Sequence, residues 1–539
     1  MRTARRISQA FFFALFIFLL IMTEYKGTDE IKYPVKIFFD FDPLVALSTF
    51  LAAYSVPKTL LWSLVVLGLT MAVGRFFCAW VCPMGTLNHL LSHNRRKAAE
   101  KIRRNRYDKR QGWKYIAVVF FIVAAALGFQ IVGFLDPFSV LIRSFALAVN
   151  PAFNYLLRAL FYPLLSLDWP WLTALIEPVF TFFRKFVLSF EQPYFYQGLF
   201  IGLVFVAIAV LNQVRRRFWC RYLCPLGALL GLFSRFSLLR LQVDEKTCTG
   251  CMSCVENCEG ACEPQSSKSW IRSECMPCWN CVEACPHGSI KIGLALPRIA
   301  DRSVDFTKRQ VIASIGSAVG ALALFRIDGR KIAPSASVAE TRESKKFNPV
   351  LIRPPGAVEE KEFLARCIRC GECMKVCIKN AIHPTMMEAG LEGFWSPYLK
   401  MQLGYCEFNC TLCTQVCPTG AIQELTTEQK HQTKIGLAFF DKNRCIPFTL
   451  GRDCIVCEEV CPTPKKAIIF EEVEVTDPAG NRVVVKQPRI DPHLCVGCGM
   501  CEYVCPLVDK PGVYVTSIGE SRSKDNQLLL DVYGSGITK

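Results

Sequence analysis

Hydrophobic positions in this chain follow two regimes. Before residue 240 they gather in long uncharged runs, at residues 10–22, 60–73, 115–135 and 194–211. Each run approaches the roughly 20 residues that a bilayer-crossing helix needs, so four spans are predicted. The run at 10–22 also suits a cleaved signal peptide. Thr23, Glu24 and Tyr25 follow it rather than a small-residue cleavage site, so it reads as a retained span. The basic stretch from Arg95 to Arg110 and the triplet Arg215-Arg216-Arg217 fall on the same side as the N-terminal MRTARR. Cations flanking spans mark the cytoplasmic side, which places both ends of the four-span unit inside. After residue 240 the apolar positions become short and are broken by cysteines. At 311–325 an uncharged run of small and apolar residues returns, opened by Lys308-Arg309. It is short for a span and also fits a buried helix. Its pattern resembles a twin-arginine export signal with Lys-Arg in place of Arg-Arg, and the expectation is an outward crossing. The small-residue segment at 333–340 then reads as a linker or a cleavage site.

The apolar half is internally duplicated. Phe41-Asp42-Pro43-Leu44 matches Leu135-Asp136-Pro137-Phe138, each after a span. Asp followed by Pro suits the N-cap and first turn of a short outer helix. Arg75-Phe76-Phe77-Cys78-Ala79-Trp80-Val81-Cys82-Pro83-Met84-Gly85 then aligns with Arg217-Phe218-Trp219-Cys220-Arg221-Tyr222-Leu223-Cys224-Pro225-Leu226-Gly227. The second copy carries an insertion at 150–193, interrupted by Arg158, Asp168 and Glu177, which reads as interfacial. The duplication delivers Cys78, Cys82, Cys220 and Cys224 to one membrane face. There they ligate metal, form redox thiol pairs or shape a quinone pocket, unless they are packed thiols where Cys–Pro ends a helix. His89 and His93 have metal-like i, i+4 spacing, but Gly231 and Arg235 replace them in the second copy, so they read as interfacial polar residues.

Length and charge narrow the classes. At 539 residues the chain holds several domains, and 52% hydrophobic content is high for a soluble one. The net charge of +17 lies largely beside apolar runs, so it points to a membrane rather than to nucleic acid. The 29 cysteines change the picture most. Cys248, Cys251, Cys254 and Cys258, then Cys275, Cys278, Cys281 and Cys285 followed by Pro286, form two runs of three thiols at two-residue gaps with a fourth after three. That is the bacterial ferredoxin spacing, in which three thiolates grip one cubane and the fourth ligates the other. Cluster one then takes Cys248, Cys251, Cys254 and Cys285, and cluster two takes Cys275, Cys278, Cys281 and Cys258. Paired CxxC also suits zinc, but zinc requires neither the third close cysteine nor the fourth before proline. Cys258 precedes Glu259 instead of Pro, while Cys262 precedes Glu263-Pro264; either completes the set, and spacing favours Cys258.

Four more quartets follow: Cys367, Cys370, Cys373 and Cys377; Cys406, Cys410, Cys413 and Cys417; Cys445, Cys454, Cys457 and Cys461; Cys495, Cys498, Cys501 and Cys505. Nested pairing, first with fourth and second with third, is favoured over sequential pairing. Valine-rich runs at 473–476 and 483–485 around a turn predict a β-hairpin. His383, His431 and His493 stand alone as ordinary polar residues, and no hydrolase triad, phosphate loop or pterin signature accompanies the clusters.

Residues 1 to about 297, with paired CxxxCP motifs and two quartets, resemble the NapH-type membrane ferredoxins of periplasmic nitrate reduction, with related features in NosR. Residues from about 305 resemble the NapG/MauM-type exported ferredoxin, through Arg353-Pro354-Pro355-Gly356-Ala357 and Gly404-Tyr405-Cys406. The fold expectation is a membrane α-helical domain of four duplicated spans (1–243), a cytoplasmic ferredoxin-like α+β domain with two [4Fe–4S] clusters (244–297), a crossing and linker (298–345), and a periplasmic domain with four (346–539). The resemblance implies a quinol dehydrogenase module of the bacterial inner membrane. It would pass electrons from the menaquinol or ubiquinol pool to a periplasmic c-type cytochrome or reductase. Two alternatives stay open: a conduit from a cytoplasmic ferredoxin-like donor, and an assembly or regulatory factor for a periplasmic metalloenzyme.

Overall fold

The computed structural model describes residues 1–92, 97–167, 169–296, 307–325, 348–476 and 478–523. The expectations for His93, Asp168, the stretch 298–306 and the segment 333–340 lie outside them.

The first half is a bundle of short helices. It contains α1 (Arg2–Met22), α2 (Pro43–Ala53), α3 (Ser63–Val73), α4 (Pro83–Leu91), α5 (Trp113–Ala126), α6 (Pro137–Ser144), α7 (Asn150–Leu165), α8 (Pro170–Phe186), α9 (Gly198–Val214) and α10 (Pro225–Ser234). The duplicated Asp-Pro pairs do what their chemistry dictates. The Asp42 side chain accepts from Leu44 N at 2.8 Å and Val45 N at 3.2 Å, and Asp136 accepts from Ser139 N at 2.7 Å, capping α2 and α6.

The four expected spans are only partly matched. Among the described residues two helices are long and apolar enough to cross a membrane: α1, and the continuous 29-residue helix Pro137–Leu165. The second merges α6, a π-helical turn at Phe145–Val149, and α7. The insertion read as interfacial therefore forms a helical hairpin of α7 and α8, closed where Phe161 meets Phe180 at 5.3 Å. The runs expected to span at 60–73, 115–135 and 194–211 form the shorter helices α3, α5 and α9. The reasons are local. Trp62 still belongs to a 3₁₀ turn, Lys58–Trp62, and Gly74 at φ +79° stops α3. α5 ends at Ala126 because the chain reverses through Gly128 at φ +76°, a left-handed turn that glycine takes without a steric penalty.

The first ferredoxin unit is closed by β1 (Leu239–Val243) antiparallel to β2 (Ile290–Leu294). It sits at one end of the bundle. Arg2 N donates to Glu283 Oε1 at 2.7 Å, Arg5 Nη2 to Asn280 Oδ1 at 3.1 Å, and Gln111 Nε2 to Gly260 O at 3.2 Å. The C-terminal unit sits at the opposite ends of the same helices. Lys375 Nζ donates to Thr23 O at 2.9 Å just beyond α1, Arg143 Nη1 to Arg369 O at 3.0 Å, and Gln197 Nε2 to Pro384 O at 3.0 Å at the start of α9. Gly133 lies so close to this unit that an added Cβ would fall 1.7 Å from Ile368 O. A helix at Lys308–Phe325, α11, runs along α5 in the same direction: Ser314 Oγ donates to Ile116 O at 2.8 Å, and Phe325 meets Phe129 at 5.3 Å.

Three antiparallel pairs frame the C-terminal unit: β3 (Ile382–Pro384) with β4 (Pro397–Leu399), β5 (Leu437–Phe440) with β8 (Val513–Thr516), and the hairpin β6 (Ile468–Thr476) with β7 (Arg482–Ile490). The hairpin falls where the valine pattern placed it.

Candidate redox centres

The x2-spaced quartets share one backbone device. The residue after each second cysteine is left-handed: Met252 at φ +59°, Trp279 at +56°, Gly371 at +87° and Gly499 at +80°. Each opens a four-residue helix carrying the third cysteine. The turn curls the three thiols toward one centre instead of letting them spiral away along a longer helix. The two widened quartets lack it, with Thr411 at φ −115° and Ile455 at −114°.

In the first ferredoxin unit Cys281 lies within electrostatic reach of Cys278, Cys275 and Cys258. Cys248 and Cys251 are exposed. Cys258 and Cys262 are both buried, with their sulfurs 3.6 Å apart. Contact with Cys262 pulls the Cys258 thiol down to about 6, while Cys262, hydrogen-bonded to Cys258 and Cys275, is pushed well up. Both thiols therefore stand at the same edge of the group.

The C-terminal quartets pair sequentially, not in the nested order expected. Cys373 faces Cys370, Cys367 and Cys417, while Cys413 faces Cys406, Cys410 and Cys377. Cys445 faces Cys454 and Cys505, and Cys501 faces Cys498 and Cys495, with Cys461 beside Cys495. Three of these groups line small recesses, each walled by four thiols. Four thiols about one recess, three local and one from the neighbouring quartet, are the donor set of a cubane. The physical reason for sequential pairing is strand closure. β5 and β8 bracket quartets three and four and bring Val513–Thr516 back beside Leu437–Phe440, so those quartets form one closed body. The Cys406 N–H donates to Cys498 O at 2.9 Å, which joins that body to the second quartet.

The CxxxCP segments converge. Cys78, Cys82, Cys220 and Cys224 are all buried in one core together with Cys278 of the first ferredoxin unit and Cys370 of the C-terminal unit. Around them stand two buried carboxylates, Glu274 and Glu259, each ringed by donors. Glu274 receives Lys114 Nζ at 2.5 Å, Tyr115 Oη at 2.7 Å, Gln111 Nε2 at 3.2 Å and Arg75 Nη1 at 3.5 Å. Glu259 accepts from Arg216 Nη2 at 2.7 Å and Asn280 Nδ2 at 3.1 Å, and stands 2.9 Å from Arg217 Nε and 3.1 Å from His89 Nδ1. Burial would raise the Glu259 carboxyl, but Arg216 and Arg217 outweigh it and hold it well below the usual range. The glutamate that stands where proline was expected after Cys258 is thus a clamp between the helix bundle and the first ferredoxin unit. The signal available in the sequence was the arginine three residues before each CxxxCP.

His383 is buried, accepts or donates at Asn380 O at 2.8 Å, and is held at about 4 by burial. His431 stacks on Phe408 at 4.1 Å. The Arg-Pro-Pro-Gly segment has a structural role: Arg353 donates to Ser396 Oγ at 2.8 Å and Pro397 O at 2.6 Å, and its guanidinium lies 4.5 Å over Phe363.

Family models agree with the cysteine geometry. A 4Fe-4S binding domain matches residues 56–104, 195–243 and 413–437, a 4Fe-4S dicluster domain matches 366–421, and another 4Fe-4S binding domain matches 487–514. The first model thus falls once on each copy of the duplication. The ferredoxin-type protein NapH of Haemophilus influenzae is 25% identical over 299 residues, covering 52% of this chain and 85% of NapH. NapG of Escherichia coli is 29% identical over 125 residues, 23% of this chain and 53% of NapG. The chain is thus similar to a NapH-type ferredoxin over its first part and to NapG/MauM-type ferredoxins over its last part. The methylamine utilization ferredoxin-type protein MauM of Methylorubrum extorquens is 32% identical over 119 residues, 22% of this chain and 49% of MauM. The chain therefore spans about half the length of NapG and MauM. No solved structure matches it. These relatives are ferredoxin-type proteins, and the matched domains are 4Fe-4S binding domains.

Proposed function

We propose that this chain is a membrane-spanning electron-transfer protein. It takes electrons from quinol beside the helix bundle and delivers them to a reductase or c-type cytochrome at the C-terminal unit, outside the inner membrane. One observation carries the reading. The two ferredoxin units cap opposite ends of α1, α3, α5 and α9, and a single core reaches from Cys278 to Cys370. α5 has 14 residues, about 21 Å at 1.5 Å per residue, so the two units stand a short way apart. α11, lying parallel to α5, supports a chain that leaves one side and emerges on the other. The cysteines named above would hold six [4Fe–4S] clusters, whose one-electron couples supply the conducting chemistry. The side chains set how those couples sit: burial excludes water, and the left-handed turns aim three thiolates inward. Contacts between groups give the outer order, with the first quartet against the bundle, the second beside the fourth, and the third at the far end.

A second reading, a soluble reduced donor docking on the first ferredoxin unit, is favoured by the exposed Cys248 and Cys251. Menaquinol oxidation by the purified, anaerobically reconstituted protein separates the two. Inhibitor-sensitive reduced-cluster signals support quinol as donor; clusters reduced only by a ferredoxin-like protein refute it in favour of the second reading.

A further inference from the structure

The helix bundle carries thiols that the six quartets do not use. Cys78 and Cys82 come from the first copy of the duplication, Cys220 and Cys224 from the second, and all four are buried. Cys224 lies within electrostatic reach of Cys220, Cys78 and Cys82. The two copies also exchange arginines. Arg217 of the second copy donates through Nη1 to Cys78 O at 3.2 Å. Arg75 of the first reaches the second, where a Cβ on Gly227 would meet Arg75 Nη2 at 2.7 Å and Cys224 Sγ at 3.4 Å. Gly85 allows the same close approach in the first copy, where a Cβ would lie 2.6 Å from Cys78 O. Gly85 is thus required by space against the backbone, while Gly227 leaves room for the Arg75 guanidinium.

Both guanidinium groups are fully buried, yet Arg75 Nε and Nη2 and Arg217 Nη2 have no hydrogen-bond partner among the described residues. Orphaned buried donors of that strength are costly and call for an acceptor. Each copy adds a helix N-terminus at its second cysteine: Cys224 Sγ accepts from Gly227 N at 3.2 Å. Two cationic donors and N–H groups aimed at four thiols in a dry pocket suit an anionic iron–sulfur body, whose sulfurs accept hydrogen bonds. A single zinc ion does not fit as well. It needs its sulfurs at about 2.3 Å from one centre, and no three such side chains converge that tightly among the described residues, here or in the quartets. The 4Fe-4S binding model that falls on each copy finds only two CxxxCP cysteines in each, so a cluster here must be shared by both.

We propose that Cys78, Cys82, Cys220 and Cys224 together hold one additional iron–sulfur cluster between the two copies, and that it relays single electrons between the groups of Cys278 and Cys370. The relay clause rests on the electron-transfer reading above. On one side Arg217 Nη1 contacts Met276 Sδ at 3.3 Å and Trp80 Nε1 donates to Pro277 O at 2.8 Å, next to Cys278. On the other, Phe77 meets Phe138 at 6.1 Å, at the start of the helix whose Arg143 holds Arg369 beside Cys370. Each transfer oxidises one neighbour by one electron and reduces the other, and no bond is made or broken.

The test compares the anaerobically purified full chain with Cys82→Ser/Cys224→Ser, by iron, acid-labile sulfide and EPR-monitored redox titration. The variant is expected to lose one cluster's iron and sulfide and one titrating component, with the other components unchanged. A second variant, Arg75→Lys, keeps all four thiols and is expected to shift the potential of that component alone. Unchanged iron and sulfide in the serine variant overturns the site, as does zinc in the wild type or a disulfide mapped between these cysteines by alkylation. If the component is present but its loss leaves transfer between the two units intact, the relay is overturned and the site stands. If the wild type holds the component yet passes no electrons between its ends, the electron-transfer reading fails instead.

Discussion

Glu274 shows how much this fold depends on single buried charges. It faces Arg75 and Lys114, both fully buried, so Glu274→Ala strands two cations away from water. Removing one partner of such a group costs about 3–5 kcal/mol. The expected result is a large fall in the melting temperature of the detergent-solubilised protein, with Glu274→Gln falling less because it keeps hydrogen bonds to Gln111 and Tyr115. At the cap positions the effect is smaller: Asp42→Ala should cost about 1 kcal/mol by the same measurement. The Asp42 and Asp136 carboxyl groups are both fully buried and face each other across the two copies. In the C-terminal unit, burial would raise the Glu360 carboxyl, but Arg353 and Arg522 overcome it and hold it at about 2. Its folded value lies below the ordinary carboxylate value, so its contribution is complete above that value and is lost as pH falls toward 2. Acid unfolding of Arg522→Ala is expected to begin at higher pH than in the wild type.

Among the elements, those set by local chemistry were the ones the sequence disclosed. The Asp-Pro helices, the hairpin at Ile468–Ile490 and the three-thiol turns each follow from a residue's own geometry, at Asp42, Asp136, the valine alternation and the CxxC gaps. The lengths of the apolar helices were not legible, because Gly74 and Gly128 end α3 and α5 inside runs that are apolar throughout. Nor was the joining of α6 and α7 through a π-helical turn, since an Asp-Pro start gives no sign of where a helix stops. The pairing of the outer quartets escaped for a different reason. Pairing is decided by strands β5 and β8, 72 residues apart at their nearest ends (Phe440 to Val513 less one), and no spacing rule reaches that far. The buried arginines were hidden because cations beside apolar runs read equally well as membrane-flanking charge. Docking between the units is a packing matter, and Gly133 tests it. Gly133→Ala forces a methyl group into Ile368 O and is expected to cost about 1–3 kcal/mol. Faster backbone hydrogen exchange at residues 367–373, with the first ferredoxin unit unchanged, would register it.

Across the whole molecule, the arrangement is a short bundle gripped at both ends by cysteine-rich units. The grip at one end is mainly ionic, through Glu259 and Glu274; at the other it is mainly through arginine and lysine donors to backbone carbonyls at Thr23, Gln130 and Arg369. Such a molecule fixes the distance between its ends, which an electron carrier needs and a mobile adaptor does not. The most direct measurement uses the full chain in sealed vesicles that enclose a membrane-impermeant electron acceptor, with an impermeant reductant added outside. Orientation is checked by protease access to the C-terminal unit. The account predicts that the enclosed acceptor is reduced, and that Cys370→Ser abolishes this while the outside-facing clusters still reduce. Full reduction of those clusters with no reduction of the enclosed acceptor would contradict it.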